Sequence, residues 1–221
     1  IYRILKSKET LTSIKQKIGF YNKQPKRKLI WFHGASVGEV LSIIPLVQAL
    51  EKNKNINQIL ITSCTLSSAK VLNKFKFKKT IHQFFPIDIN FITNRFLKYW
   101  KPKVCIFLES EIWPNIIKNI KEEKLPLILL NARITNKSFK RWRKINFFSK
   151  KIFNMFDLCL PQNLETTKYL TKLGSKKIKF IGNLKLCDVQ EKSNSNLNST
   201  QRKFFNSKNI ILTGYSTHQT E

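Results

Sequence analysis

Trp31-Phe32-His33-Gly34-Ala35-Ser36-Val37-Gly38-Glu39 is the stretch whose reading decides the fold. Just before and into it, Lys28-Leu29-Ile30-Trp31-Phe32 is a short apolar run of the kind that forms a buried strand, and after it residues 40–50 carry apolar side chains on most helical faces. A glycine-bearing turn between strand and helix lies at the carboxyl end of the strand, where open α/β sheets place their ligands. Gly34 and Gly38 are expected to supply left-handed backbone and close approach. Glu39 falls in the first helical turn and points at that crevice, where the helix dipole favours an ionised carboxylate able to take a proton. A second reading fits the same letters: Ser36-x-x-Glu39 is a capping box in which Glu39 reaches back to the Ser36 N–H. Both readings stand at this point. The turn is neither a dinucleotide fingerprint nor a Walker loop, because the GxGxxG spacing and the Gly-Lys-Ser/Thr ending are missing.

Outward from this turn the chain alternates strand and helix. Strand-like runs fall at 28–33, 58–63, 80–85, 103–108, 125–130, 156–160 and 178–181, and helix-like runs at 39–53, 66–77, 89–100, 112–123, 139–153 and 164–173. This order means βαβ units with right-handed crossovers, so the expected class is α/β with a Rossmann-like parallel sheet. Residues 1–28 form a basic leading segment suited to one or two amphipathic helices, and 29–188 form the main domain. A polar, low-complexity linker covers 189–208 and includes Ser193-Asn194-Ser195-Asn196. Asn209-Ile210-Ile211-Leu212-Thr213-Gly214 then looks like the first strand of a second domain, truncated at 221.

A length of 221 residues allows a full core, and a hydrophobic fraction of 42% argues against disorder. Lys and Arg number 41 against 13 acids, a net charge of +28 that implies an anionic partner, nucleic acid or an acidic membrane surface. Heavy use of Lys, Asn, Ile and Phe throughout is a second source for that charge. Cys64, Cys105, Cys159 and Cys187 form no CxxC pair, and the three histidines add no zinc spacing, so no metal is expected. Cys105 and Cys159 sit in apolar runs as core thiols, which suits a reducing cytoplasm. No run of roughly 18 apolar residues offers a spanning helix.

Lys103-Val104-Cys105-Ile106-Phe107-Leu108 repeats the logic of the first turn by delivering Glu109-Ser110-Glu111 to a strand's carboxyl end. Glu109 closes the strand and Glu111 is expected to enter the next helix. Two acids together are informative in so basic a chain, although a first-turn dipole acid and a lysine-paired acid would satisfy the pattern too. Between Glu123 and Asp157 there is no acid; Lys137, Lys140, Arg141, Arg143 and Lys144 interleave with Phe139, Trp142, Phe147 and Phe148. That mixture suits a membrane interface, a nucleic-acid patch with stacking rings, or a solvated helix whose rings face the sheet.

His33-Gly34-Ala35-Ser36-Val37-Gly38-Glu39, Glu109-Ser110-Glu111-Ile112-Trp113-Pro114-Asn115, Asn131-Ala132-Arg133, Gly182-Asn183-Leu184-Lys185 and Ser216-Thr217-His218 together resemble the 3-deoxy-D-manno-octulosonic acid (Kdo) transferases of lipopolysaccharide synthesis. The resemblance implies the amino-terminal half of a two-domain GT-B glycosyltransferase that moves Kdo from CMP-Kdo to a lipid A precursor, lipid IVA. It implies Glu39 as general base, Glu109 as a second essential carboxylate and Lys185 as a transition-state stabiliser. His33, Ser36, Gly38, Glu111, Arg133, Lys137, Arg141, Ser216 and His218 become substrate-binding candidates. No cofactor is implied, since CMP-Kdo is a substrate, and the expected location is the cytoplasmic face of the bacterial inner membrane, peripheral or anchored by a segment before Ile1. The chain alone is expected to be inactive. The sequence departs from the family in having Gly34 where Ala is usual, one extra residue after Lys185, and no glycine after His218. A basic nucleic-acid-binding α/β domain and a folded, inactive acceptor-binding fragment are the alternatives.

Overall fold

The strands are mostly apolar runs rich in Ile, Leu and Phe, four to six residues long, and the central ones are buried on both faces. In the computed structural model, which describes residues 9–185, these are β1 (Leu29–His33), β2 (Gln58–Ser63), β3 (Thr80–Phe84), β4 (Val104–Leu108), β5 (Leu127–Ala132) and β6 (Leu158–Pro161). They make one parallel sheet in the order β3-β2-β1-β4-β5-β6. The order reverses between β1 and β4, which pair from Ile30↔Val104 to His33↔Phe107. A doubly wound sheet opens its ligand crevice at such a switch point, outside the carboxyl ends of the strands.

The helices are α1 (Leu11–Lys17), α2 (Val37–Ser42), α3 (Ile44–Glu51), α4 (Leu66–Leu72), α5 (Asn90–Trp100), α6 (Pro114–Glu122), α7 (Asn136–Lys144), α8 (Asn146–Phe153) and α9 (Leu164–Lys172). Alternation along β1 sends Trp31 to one face and Phe32 to the other. Trp31 joins Phe96, Trp100, Phe107, Leu129, Phe153 and Leu170 in the larger core layer. Phe32 joins Val40, Val47, Ile59, Ile61 and Leu108 in the smaller one. The chain divides after Leu184, and Lys185 is the last described residue.

Several boundaries differ from the sequence expectations. The helix expected over 39–53 starts earlier and breaks at Ile43, because Pro45 stands in the first turn of α3 and has no N–H for the preceding turn. The helix expected over 139–153 starts at Asn136 and breaks at Ile145, where neither Pro nor Gly marks the change. Glu111 does not enter a helix, since α6 begins at Pro114. The strand expected at 178–181 is reduced to a single bridge, Cys159↔Ile178, and Phe180 and Ile181 are exposed. The leading segment carries one helix among its described residues, docked by the Gln16 side chain on the Phe84 N–H at 3.1 Å.

Candidate functional site

His33 ends β1 with its ring fully buried and stacked on Phe85, centroids 3.6 Å apart. Its Nδ1 lies 3.0 Å from the Thr62 hydroxyl on β2, and its Nε2 lies 3.2 Å from Glu111 Oε2 beyond β4. Burial lowers the imidazole pKa below its ordinary value, so the ring is neutral at pH 7. A carboxylate cannot donate, so Nε2 carries the proton and Nδ1 accepts from Thr62. Trp113 Nε1 donates a second bond to Glu111 Oε2 at 2.7 Å. Burial alone would raise the Glu111 pKa; the donors His33 and Trp113 outweigh it and hold the carboxyl below its usual range.

Glu39 stands across the switch point, half-buried in the first turn of α2. Ser36 caps this helix by accepting from the Glu39 N–H at 3.3 Å, and the Glu39 carboxylate accepts from the Ser36 hydroxyl at 2.9 Å. The other carboxylate oxygen takes the Ala35 N–H at 2.8 Å, where a capping box would have used the Ser36 N–H. Burial raises the Glu39 pKa, the Glu111 charge adds to the rise, and these two outweigh the Ser36 and Ala35 bonds. The dipole argument for an easily ionised carboxylate is therefore corrected. Glu39 is a stronger base than a free glutamate, and it reaches that state through a half-buried position beside fixed negative charge.

The glycines also act differently from expectation. Neither Gly34 nor Gly38 has positive φ. A Cβ at Gly34 would meet Leu108 Cδ1 at 2.8 Å and Glu39 Cβ at 3.1 Å, so this glycine lets Glu39 approach the strand end. A Cβ at Gly38 would meet nothing within 4 Å. The left-handed residues at this end of the sheet are instead Glu109, at φ 50°, and Asn131, at φ 53°. Glu109 is buried directly after β4, its carbonyl accepting from the Arg133 N–H at 3.1 Å.

Residues 12–187 match the family model for 3-deoxy-D-manno-octulosonic-acid transferase (kdotransferase). The chain belongs to this family. It is 35% identical over 217 residues to a 3-deoxy-D-manno-octulosonic acid transferase of Rickettsia bellii, covering 98% of this chain and 51% of that protein. It is 36% identical over 192 residues to that of Rickettsia felis, covering 87% of this chain and 41% of the relative. The chain thus spans about half the length of the curated relatives it matches. Among solved structures, a UDP-N-acetylglucosamine 2-epimerase from Listeria monocytogenes aligns with a TM-score of 0.55 at 15% identity, over 78% of this chain and 50% of that one. The UDP-GlcNAc 2-epimerase of Neisseria meningitidis aligns at 0.53 and 14%, over 81% and 53%. At such identities the likeness is one of fold, a Rossmann-like α/β half.

In this Kdo transferase family chain, the structure gathers His33, Ser36, Gly38, Glu39, Glu109 and Glu111 at the adjoining ends of β1 and β4. Arg133 follows β5, exposed, and is tied to Glu109 through its backbone. Lys137 lies in the first turn of α7 and Arg141 one turn later on the same face, both exposed. Lys185 is exposed, and Ser216 and His218 lie outside the described residues. Among the described residues no group of three or more His, Cys, Asp or Glu side chains is placed to hold a metal, and no helix is long and apolar enough to cross a membrane.

Sequence reasoning missed Thr62, Trp113 and Asn131. Trp113 was within a quoted motif, yet its role depends on an indole reaching back two residues. Asn131 Oδ1 accepts from the Leu184 N–H at 3.2 Å while its own Nδ2 is buried without an acceptor. Asn131→Ala removes that acceptor and forces an apolar residue to stay left-handed, a loss of about 1–3 kcal/mol in chemical denaturation. Asn131→Gly suits the backbone and should lose less.

The basic aromatic segment resolves into two parts. Phe139 and Phe153 are buried and Trp142 packs on the larger core layer. Phe147 is 87% exposed at the start of α8, with Ile145 and Phe148 exposed beside it and Arg143, Lys144, Lys150 and Lys151 around them. Three of these five rings therefore pack inward, and Phe147 and Phe148 form with Ile145 an apolar knuckle set among cations.

Proposed function

We propose that the protein transfers Kdo from CMP-Kdo to the lipid A precursor lipid IVA, with Glu39 as general base. The observation that carries this reading is Glu39 at the switch-point crevice, its basicity raised by burial and by the Glu111 charge. A sugar hydroxyl is a poor nucleophile until a base takes its proton as the new bond forms, and a carboxylate of raised pKa is suited to that step. Glu111, fixed by His33 and Trp113, keeps a negative charge near Glu39 and so sustains its basicity. Glu109 is the second essential carboxylate, and Lys185 balances charge developing on the departing CMP. Side chains supply the positive charge in this scheme, without a metal.

The acceptor carries both phosphates and acyl chains. The Phe147 knuckle and its ring of cations fit such a lipid at an anionic membrane surface, which would place the enzyme on the cytoplasmic face of the inner membrane. A direct test uses vesicles bearing the tetra-acylated lipid A precursor, vesicles of equal charge with ordinary lipids, and an unrelated oligonucleotide. Preference for the precursor, weakened about tenfold by Phe147→Ser, is the expected result. Equal binding to all three would remove the acceptor reading and leave charge as the sole attraction.

A further inference from the structure

The end of the sheet opposite the Glu39 crevice carries a second concavity. It lies where β1 and β4 begin, with the Lys103 N–H donating to the Leu29 carbonyl at 2.8 Å across its base. A pocket of about 530 Å³ there is lined by Lys26, Arg27, Lys28, Lys101 and Lys103 together with Pro25, Tyr99 and Trp100, and by no acid. Among the described residues none of these five cations forms a salt bridge. Five like charges around one concavity repel each other, and a bound anion would relieve that repulsion.

The pocket is held in shape. The Tyr99 hydroxyl donates to the Lys23 carbonyl at 2.8 Å, and the buried Gln58 side chain bonds both the Lys26 N–H at 2.7 Å and the Gln24 carbonyl at 3.3 Å. The loop that presents Lys26, Arg27 and Lys28 is thus pinned at three points before any ligand arrives, which reduces the entropy lost on binding. Lys28 and Lys101 occupy the left-handed region, at φ 57° and 46°, where glycine would be easier. Trp100 forms part of the wall, fully buried, with its indole N–H lacking an acceptor.

We infer that this pocket binds a small anion bearing two or more phosphate groups. The volume is that of a small-ligand site, and the five cationic residues line one concavity, whereas a nucleic-acid track needs an extended stripe. Arg27 offers a planar fork to a phosphate and the lysines act as point charges. The site is separate from the crevice and does not depend on the transferase reading.

The phosphate chemistry could come from a soluble polyphosphorylated compound or from a lipid headgroup, and two probes separate these sources. Tripolyphosphate is titrated calorimetrically, and vesicles bearing phosphatidylinositol 4,5-bisphosphate are tested by sedimentation, each at fixed ionic strength. Three forms of the chain are compared: the natural chain, Arg27→Gln with Lys103→Gln, and Lys168→Gln with Lys172→Gln. The second pair removes the same charge from α9, and all four side chains are exposed. The expected result is saturable tripolyphosphate binding that weakens at least about tenfold in the pocket variant and less than about twofold in the α9 variant. Selective loss on vesicles with weak tripolyphosphate binding would keep the phosphate site and assign it to a headgroup. Equal weakening in both variants, or no saturable binding to either probe, would overturn the inference.

Discussion

Glu39→Gln, placed in a chain carrying the whole enzyme, is expected to lower Kdo transfer by about 10²–10⁴-fold, the range over which a general base contributes. The same substitution should stabilise the fold at neutral pH. Burial and the Glu111 charge raise the Glu39 pKa above 4.5, so the folded state disfavours the ionised form. Protonated Glu39 is easily accommodated below its unfolded pKa, and that stability is lost as pH rises through the folded pKa. Glutamine keeps an acceptor for the Ala35 N–H and removes the charge. The variant should therefore unfold at higher denaturant than the natural protein at pH 7, and the gap should close below about pH 4.5. A residue serving only as a cap would lose stability on this change and leave transfer intact. Opposite movements of activity and stability are the signature of a base.

Substitution of Glu111 should have the next largest effect. Glu111→Ala leaves the buried His33 Nε2–H and the Trp113 indole N–H without their acceptor. Each stranded donor costs about 1–3 kcal/mol, so unfolding at pH 7 should show a loss of about 2–6 kcal/mol. Because the Glu111 pKa is depressed in the fold, its contribution is present above the unfolded value of 4.5 and disappears as pH falls through the folded one. The difference between variant and natural protein should accordingly shrink in acid. Glu111→Gln is milder in stability and carries the functional readout. Without the neighbouring charge Glu39 becomes a weaker base, and the acidic limb of the transfer pH profile should move to lower pH. An unmoved limb with reduced activity would mean that Glu111 acts by shape alone.

The β1 turn was legible because its determinants are local: an apolar run, a capping serine and an acid three residues on. The parallel sheet was legible from alternation. The break at Ile43 had a signal in Pro45 that the apolar periodicity overrode, whereas the break at Ile145 has none. The strand expected at 178–181 failed because an apolar run needs a neighbouring edge along its whole length, and β6 offers one bridge. Glu39, Glu109 and Glu111 could be nominated singly. Their mutual influence could not be, since His33 meets Glu111 across 78 positions of sequence and only strand order brings them together. The raised pKa of Glu39 follows first from its burial and then from the Glu111 charge, which strand order brings near it. Left-handed Glu109 and Asn131 were invisible for a simpler reason, as neither is glycine.

The strand order also sets when the crevice can exist. β1, β2 and β3 pair in sequence, but β1 waits for β4, whose first partnered residue, Val104, faces Ile30. Closing so long an interval before any contact repays it is slow compared with local pairing. The surroundings of Glu39 are therefore complete only once β4 pairs with β1, because Glu109 and Glu111, whose charges raise its pKa, follow that strand. One strand pairing, β1 with β4, thus both closes the middle of the sheet and brings the three acids to one crevice.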